Sequence, residues 1–387
     1  MKRILAASII ILLFGVTAFF YWRSQQAAPV ATEITALQSS QGSEGFARVT
    51  ESRAMQFPQD HGPHPDYQTE WWYYTGNLQA QDGRRFGYQL TFFRRGITPG
   101  DVSARNSDWA TNQIYFAHFA ITDNKNNTHN EAEIFSRGAA ELAGASGDPF
   151  RVWIENWSAT GLNADASQVQ LKADDGKMAL DLNLNATKPP VIHGANGVSQ
   201  KSDAAGNASY YVSLTRMLTQ GTLRINGESI PVTGASWFDH EWGTTALGEN
   251  AAGWDWFSIQ LDDNRELMFF QIRNKDGSIE ALSSGTLIEA DGSTKFLKRD
   301  DVQITPQDFW TSSFSQAKYP NKWRVEIPSA NLDLILTPLI ADQEMRVSFT
   351  YWEGAVNVQG TARGIPVRGQ GYVEMTGYGS ARGDVGY

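Results

Sequence analysis

Aromatic, acidic and imidazole side chains are concentrated in two neighbouring segments, Ser-Trp-Phe-Asp-His-Glu-Trp-Gly at 236–243 and Gly-Trp-Asp-Trp-Phe at 253–257. Ordinary core packing does not require this mixture, because a buried carboxylate is costly without a partner. A pocket for an apolar ligand combines aromatic walls with a few polar groups, and carboxyl and imidazole groups can move protons there. The predicted catalytic residues are Asp239, His240, Glu241 and Asp255, and the predicted ligand contacts are Trp242, Trp254 and Trp256.

The conformation of 236–243 decides whether its polar groups can act together. If the segment is a β-strand, Asp239 and Glu241 share one face and His240 lies on the other, because side chains alternate along a strand. If it is a loop, as the glycines on either side permit, all three side chains could converge. In a purely structural alternative, Asp239 bonds the backbone at a domain junction and His240 packs in a core.

A proline-rich segment at 57–65 is a second candidate site. Three prolines and a glycine hold its backbone irregular, and it displays Asp60, His61 and His64. Loops of this kind often carry function. A metal site on His61 and His64 would need a third ligand that this spacing does not supply. We therefore predict no metal and no cofactor, and the structural alternative is a plug over a barrel end.

A β-strand is expected at 69–74, shortly after the proline-rich segment in the chain. Period-two alternation puts Glu70, Trp72 and Tyr74 on one face. A carboxylate beside a tryptophan on an inward face is costly unless it is paired, and Arg216 is a candidate partner. We predict these four residues as ligand contacts.

Three further segments, 116–123, 351–356 and 371–378, place a histidine or a glutamate among aromatic residues. Such patterns favour the interior or the mouth of a barrel. For the histidine of the first segment, a packed and hydrogen-bonded core position is the alternative. The predicted ligand contacts from these segments are His118, Tyr351, Glu353 and Tyr372.

Composition narrows the class of function. The net charge is −10 and no run of basic residues, Lys2-Arg3 included, is longer than two, which argues against nucleic acid as a partner. The chain has no cysteine, so disulfides, thiolate metal sites and thiol nucleophiles are excluded. Aromatic residues are 12% of the chain, which is typical of a globular protein rather than a disordered one.

The amino terminus predicts export. Lys2 and Arg3 precede a weakly polar run, residues 4–22, that is long enough to span a bilayer. Residues 1–28 are either a cleaved signal peptide or a membrane anchor, and residues 29–50 form a flexible tether. The positive-inside rule places the rest of the chain in the periplasm, either soluble or anchored to the inner membrane by residues 4–22.

After the tether, the chain has the pattern of an all-β protein. Short runs of aromatic and branched residues alternate with Gly, Asp and Asn turns, as at Gln81-Asp82-Gly83 and Asp174-Asp175-Gly176. Many short strands at regular spacing predict a sandwich or a barrel. The small, polar stretch 244–252 separates the two aromatic clusters. We therefore predict an N-terminal domain at 51–246 and a C-terminal domain at 247–387.

Several strings in the chain carry a family resemblance. They are DHGPHPDYQTEWWYYTG (60–76), HFAITD (118–123), WFDHEWG (237–243), GWDWFSIQLDD (253–263), YWEGAV (351–356) and GYVEMTGY (371–378). In this order they resemble the AttH-like family of secreted lipocalin-type proteins, often described as predicted secreted hydrolases. The family is distantly related to the carotenoid 1,2-hydratases.

The resemblance implies two lipocalin-like (calycin) β-barrels packed together and a long apolar ligand, such as a lipid or an isoprenoid. Hydratase chemistry needs an acid that protonates carbon and a wall that tolerates a carbocation. On that chemistry Asp239 or Asp255 is the acid, and His240 is a base or positions water. The tryptophans at 242, 254 and 256 form the cation cage.

The export segment and the Glu241-Trp242 pair place the chain with the secreted branch of the family rather than with the pigment enzymes. In that branch the resemblance implies lipid handling at the envelope, with an ABC transporter permease as a partner. The leading prediction is therefore an exported ligand-binding protein with hydratase or hydrolase activity. The alternatives are a non-catalytic periplasmic lipid carrier and a structural envelope protein.

Overall fold

Apolar residues that alternate with polar ones form β-strands almost throughout the computed structural model. The structure describes residues 43–100, 107–244, 247–248 and 250–379. The predicted export segment, 1–28, and residues 29–42 of the predicted tether lie outside this range. None of the described residues forms a helix that is long and apolar enough to cross a membrane.

The first sheet contains thirteen antiparallel strands in the order β4-β3-β2-β1-β13-β12-β9-β8-β7-β6-β5, and β10 and β11 also pair with β12. A short 3-10 turn, Gln59–His61, precedes it. The strands are β1 (Thr69–Ala80), β2 (Arg85–Gly96), β3 (Gln113–Asp123), β4 (Thr128–Arg137), β5 (Ala143–Gly147), β6 (Phe150–Ile154), β7 (Trp157–Gly161), β8 (Gln168–Asp174), β9 (Met178–Ala186), β10 (Val191–Ile192), β11 (Ser199–Gln200), β12 (Ala208–Ile225) and β13 (Glu228–Gly243).

The second sheet contains ten antiparallel strands in the order β17-β16-β15-β14-β23-β22-β20-β19-β18, and β21 also pairs with β22. The 3-10 turns Arg299–Asp301 and Pro328–Ala330 connect some of them. The strands are β14 (Ala251–Leu261), β15 (Glu266–Asn274), β16 (Ser284–Ile288), β17 (Thr294–Lys298), β18 (Gln303–Thr311), β19 (Lys318–Ile327), β20 (Leu332–Pro338), β21 (Glu344–Arg346), β22 (Thr350–Ala362) and β23 (Ile365–Met375).

Both sheets curl into barrels. The first is nearly closed and the second is a half-barrel, which confirms the prediction of an all-β protein with two barrels. Successive side chains of β1 point to opposite faces of the sheet, so one strand contributes both to the core of the first barrel and to the junction. Trp72, Tyr74 and Leu78 point into the core of the first barrel, whereas Tyr73 joins a separate cluster at the junction with the second. Burial of each such side chain stabilises the fold by roughly 1.5–3 kcal/mol.

The two barrels meet through the outer faces of β1 and β2 and the strands β22 and β23. The junction is apolar, with Tyr73, Trp237, Trp256 and Phe270 in one buried cluster. Hydrogen bonds cross it as well. The side-chain amide of Asn77 donates to the carbonyl oxygen of Gly371 at 2.9 Å.

Gly87 on β2 marks a point where the barrels touch. A Cβ atom at this position would lie 2.5 Å from the Cβ of Ala355 on β22, which is closer than two non-bonded carbon atoms can approach. The glycine therefore lets the two sheets pack together.

We expect Gly87→Ala to lower the free energy of unfolding by about 1–3 kcal/mol, because overpacking forces the barrels apart. Ala355→Gly removes the opposing methyl group, so the double variant should lose less than the sum of the single losses. Urea unfolding of the four chains measures this coupling. Strictly additive losses would show that the two positions do not press on each other.

Candidate active site at the barrel junction

A pocket lies at the junction of the two barrels, with about 1110 Å³ of empty volume that is partly open to solvent. Its walls are mainly aromatic, and four carboxyl groups and one ammonium group interrupt them. Aromatic walls with a few polar groups are typical of sites for apolar ligands. The aromatic members are Trp71, Tyr73, Phe93, Tyr211, Trp254, Trp256, Phe270 and Tyr351, and the charged members are Asp239, Glu241, Glu353, Glu374 and Lys201.

Strand β13 is regular through Gly243, so its side chains alternate between the pocket and the interior of the first barrel. Asp239 and Glu241 line the pocket. His240 points the other way and bonds Glu70. The loop conformation considered for 236–243 is therefore wrong, and the three predicted catalytic groups do not converge.

Asp239 sits in a cradle of hydrogen-bond donors. The hydroxyl groups of Tyr211 and Ser213, on the paired strand β12, donate to its two carboxyl oxygens. The indole Nε1 of Trp237 donates to Oδ1 at 2.6 Å. Trp256, from the second barrel, donates to the Tyr211 hydroxyl oxygen at 2.8 Å. Residues of both barrels therefore contribute to the hydrogen bonds around Asp239.

None of the described side chains that bond Asp239 is a cation. Burial raises the pKa of its carboxyl group from 3.8 to about 7, although the hydrogen bonds from Ser213, Tyr211 and Trp237 oppose that shift. A buried carboxylate without a counter-charge is costly, so the proton is retained. With a pKa of about 7, a substantial fraction of this group is still a carboxylic acid at neutral pH and can donate a proton.

Glu353 and Glu374 face Asp239 from the second barrel as a direct cross-strand pair on β22 and β23. Tyr73 donates its hydroxyl proton to Glu353 Oε2 at 2.8 Å. Burial, and then the charge of Glu374, hold the pKa of Glu353 well above its usual value. Burial also raises the pKa of Glu374 to about 8. The second barrel thus adds two more protonated acids.

Glu241, in contrast to Asp239, forms an ion pair on the pocket wall. Lys201 Nζ lies 2.8 Å from its Oε1, and the Ser209 hydroxyl donates to the same atom. The ammonium group also lies 4.2 Å from the ring centroid of Phe270, a cation–π contact. The ion pair fixes one edge of the pocket.

A chain of hydrogen bonds leads away from the pocket wall at Tyr351. The tyrosine hydroxyl lies 2.8 Å from Nδ1 of His118, and Nε2 of that histidine lies 2.8 Å from Glu133 Oε1. Burial lowers the pKa of His118, which therefore carries one ring proton. With that proton on Nε2 facing the carboxylate, Nδ1 can accept the phenol proton. This arrangement places a proton acceptor behind Tyr351.

Several residues at the site were not predicted from the sequence, among them His193, Lys201 and Tyr211. His193 is buried, and its Nε2 lies 2.7 Å from the Ser213 hydroxyl that bonds Asp239. One signal was available. The Asn226-Gly227 turn joins β12 to β13 and predicts a hairpin, which places β12 beside Asp239.

Glu70 pairs with Arg94 rather than with Arg216, so the predicted partner is wrong. Arg94 lies directly opposite Glu70 on β2, and its Nε donates to Oε2 at 2.7 Å. Arg216 lies at an irregularity of β12 and its Nε donates instead to Glu266 Oε1 at 2.5 Å.

Asp255 is buried away from the pocket, where Arg273 Nε donates to it at 3.0 Å and Gln271 Nε2 at 2.9 Å. The structure thus divides the predicted site residues. Those that line the pocket are Asp239, Glu241, Trp254, Trp256, Tyr351 and Glu353. Those that do not are Glu70, Trp72, Tyr74, His118, Arg216, His240, Trp242, Asp255 and Tyr372. The roles predicted for both groups stay predictions.

The architecture defines a class of proteins with two lipocalin-like barrels. The crystal structure of kievitone hydratase from Nectria haematococca shares this fold with a TM-score of 0.66 and 16% identity, covering 86% of this chain and 95% of that one. Kievitone hydratase of Fusarium solani subsp. phaseoli is 26% identical over 229 residues, or 55% of this chain. The chain spans 61% of the length of that curated relative.

The chain belongs to the AttH-like family, whose model matches residues 48–378. The resemblance inferred from its motifs is thereby confirmed. The crystal structure of an AttH protein from Nitrosomonas europaea is 36% identical to it and has a TM-score of 0.77. That match covers 86% of this chain and 100% of the other.

Asp239→Asn should remove a pH dependence of stability. The carboxyl group keeps its proton up to about pH 7 when folded, against 3.8 as the reference value. This stabilisation is complete below the lower value and is lost as the pH rises through the upper one. Relative to the variant, the wild-type free energy of unfolding should fall by on the order of 4 kcal/mol over this interval.

Urea unfolding of both chains at a series of pH values gives this difference. Acids with lowered pKa, such as Glu70, act equally in both chains and cancel. A wild-type minus variant difference that stays constant with pH would contradict the raised pKa of Asp239.

Proposed function

We propose that this protein is a hydratase or lyase that acts on an apolar substrate, such as an isoprenoid, in the junction pocket. The observation that carries the proposal is Asp239, a carboxylic acid held protonated among aromatic walls. An acid of this kind can protonate carbon at neutral pH, whereas an exposed carboxylate cannot. The hydratase name of a relative supports the same chemistry.

Hydration begins when Asp239 transfers its proton to one carbon of a carbon–carbon double bond. The π electrons form the new C–H bond, the other carbon becomes a cation, and Asp239 becomes a carboxylate. The faces of Trp254 and Trp256 on the pocket wall stabilise that cation. Because Asp239 and Glu353 are buried, the electrostatic interactions around them are stronger than in water.

Water then attacks the cation and loses a proton. Tyr351 takes this proton as its own phenol proton passes to Nδ1 of His118, and Glu133 stabilises the resulting imidazolium. Proton exchange with solvent returns both groups to their starting states. The net reaction adds one water to one double bond, and the reverse sequence is a dehydration.

We also propose, from the amino-terminal sequence, that the chain is exported to the periplasm through residues 4–22. An ABC transporter permease remains the partner that the family resemblance suggests.

Incubation in ¹⁸O-labelled water, first with kievitone and then with isoprenoid alkenes, tests the reaction. Mass spectrometry should show a gain of one labelled water. Asp239→Asn should lower the rate by about 10²–10⁴-fold, the usual contribution of a general acid. The matched control is Glu344→Gln, which alters a buried, hydroxyl-bonded carboxyl group outside the pocket.

The wild-type rate should also fall as the pH rises through about 7, because Asp239 must be protonated. Tyr351→Phe should lower the rate without shifting this upper limb of the pH profile. Retention of bound lipid with no turnover of any alkene would indicate a carrier instead. Full activity of Asp239→Asn would remove Asp239 from the mechanism.

A further inference from the structure

A second polar cluster lies inside the first barrel, on the opposite face of β13 from the pocket. Its members are His64 from the proline-rich segment, Glu70 from β1 and His240 from β13. One ligand atom from each residue lies within 4.8 Å of the other two. His64 Nδ1 is 2.8 Å from Glu70 Oε1, and His240 Nε2 is 2.9 Å from the same oxygen.

The ring of His240 meets an acceptor at both of its nitrogens. Nδ1 lies 3.0 Å from the carbonyl oxygen of Asp60, which can only accept a hydrogen bond. Nε2 lies 2.9 Å from Oε1 of Glu70, whose other oxygen accepts a hydrogen bond from Arg94. A neutral imidazole has one N–H and cannot satisfy both contacts. A metal ion between Nε2 and Glu70 would satisfy both contacts, because the single ring proton could then stay on Nδ1 and be donated to Asp60.

His64 repeats the pattern. Its Nδ1 faces Glu70, and its Nε2 lies 3.1 Å from Oδ1 of Asp60. Arg53 lies 3.3 Å from the same Nε2 but holds Asp60 more closely, at 2.5 Å. Both histidines thus direct one nitrogen at Glu70 and the other at an oxygen of Asp60.

We propose that this cluster is a metal site for a divalent transition ion, with zinc as the best match. Its ligands are Nδ1 of His64, Nε2 of His240 and Oε1 of Glu70. Two imidazoles and one carboxylate are a ligand set that zinc uses in proteins, with a further position left for water. The absence of cysteine from the chain leaves nitrogen and oxygen donors as the available set.

The surrounding contacts are those that a metal site needs. Ligating histidines donate their other N–H to a carboxylate or a backbone carbonyl, which fixes the ring and the tautomer. Asp60 supplies both acceptors here, its carboxylate to His64 and its carbonyl to His240. Arg94 holds the free oxygen of Glu70 at 2.7 Å. With an ion bound, each of these hydrogen bonds has one donor and one acceptor.

The ion would tie the proline-rich segment to two strands of the first barrel. His64 comes from that segment, and its side chain is 14% exposed while Glu70 and His240 are buried. Solvent and ions therefore reach the site past His64. No step of the proposed reaction uses this cluster, so the site stands or falls independently of the pocket.

The metal content of the wild-type full chain, purified without a histidine tag, tests the proposed site. Elemental analysis should find about one zinc ion per chain, chelation should lower the Tm, and added Zn²⁺ should restore it. Replacement by Co²⁺ should give the visible absorption of a low-coordinate nitrogen and oxygen site. Glu70→Gln and His240→Asn should reduce the metal content to background.

His129→Asn is the control, because His129 is a half-buried histidine of the same barrel outside the cluster and should keep the metal. The competing occupant is a second proton on His240. Nitrogen-15 NMR that finds both ring nitrogens of His240 protonated, in a chain that takes up no zinc or cobalt, would overturn the proposal.

Discussion

The pairing of β1 with β13 is the interaction on which both barrels and both polar clusters depend. Its register sets Trp72 opposite His240 and Tyr73 opposite Asp239. Because side chains alternate along paired strands, neighbouring residues go to opposite sides of the sheet. One strand pair therefore builds the cluster inside the first barrel and the acidic wall of the pocket. A slip of one residue would exchange the two environments.

Carboxyl groups on the two sides of that sheet have pKa values that are shifted in opposite directions. Inside the barrel, Glu70 has Arg94 and two imidazoles around it and is held ionised. At the junction, Asp239 is bonded by neutral donors, and its pKa is raised to about 7. Burial alone raises the pKa of both groups, so the neighbours decide the outcome. The same fold thus keeps a fixed negative charge and a proton donor on adjacent strands.

The all-β fold and the position of the acids at the junction could be predicted, because alternation and turn residues are local signals. The residues that form hydrogen bonds with those acids could not be predicted. Continuing the Asn226-Gly227 hairpin without a break would place Leu214 opposite Asp239, but an irregularity between Leu214 and Met217 shifts the register, and Ser213 takes that place. A bulge of this kind reflects packing that a single sequence does not report.

Because the donors around Asp239 come mainly from the first barrel, whereas Glu374 and Trp256 come from the second, the strength of this acid belongs to the assembled pair. A chain whose first barrel has folded alone would leave Asp239 open to water, with the chemistry of an ordinary aspartate. The proposed protonation of an alkene would then require the docked second barrel. The junction therefore makes the proposed catalytic acid a property of the completed fold.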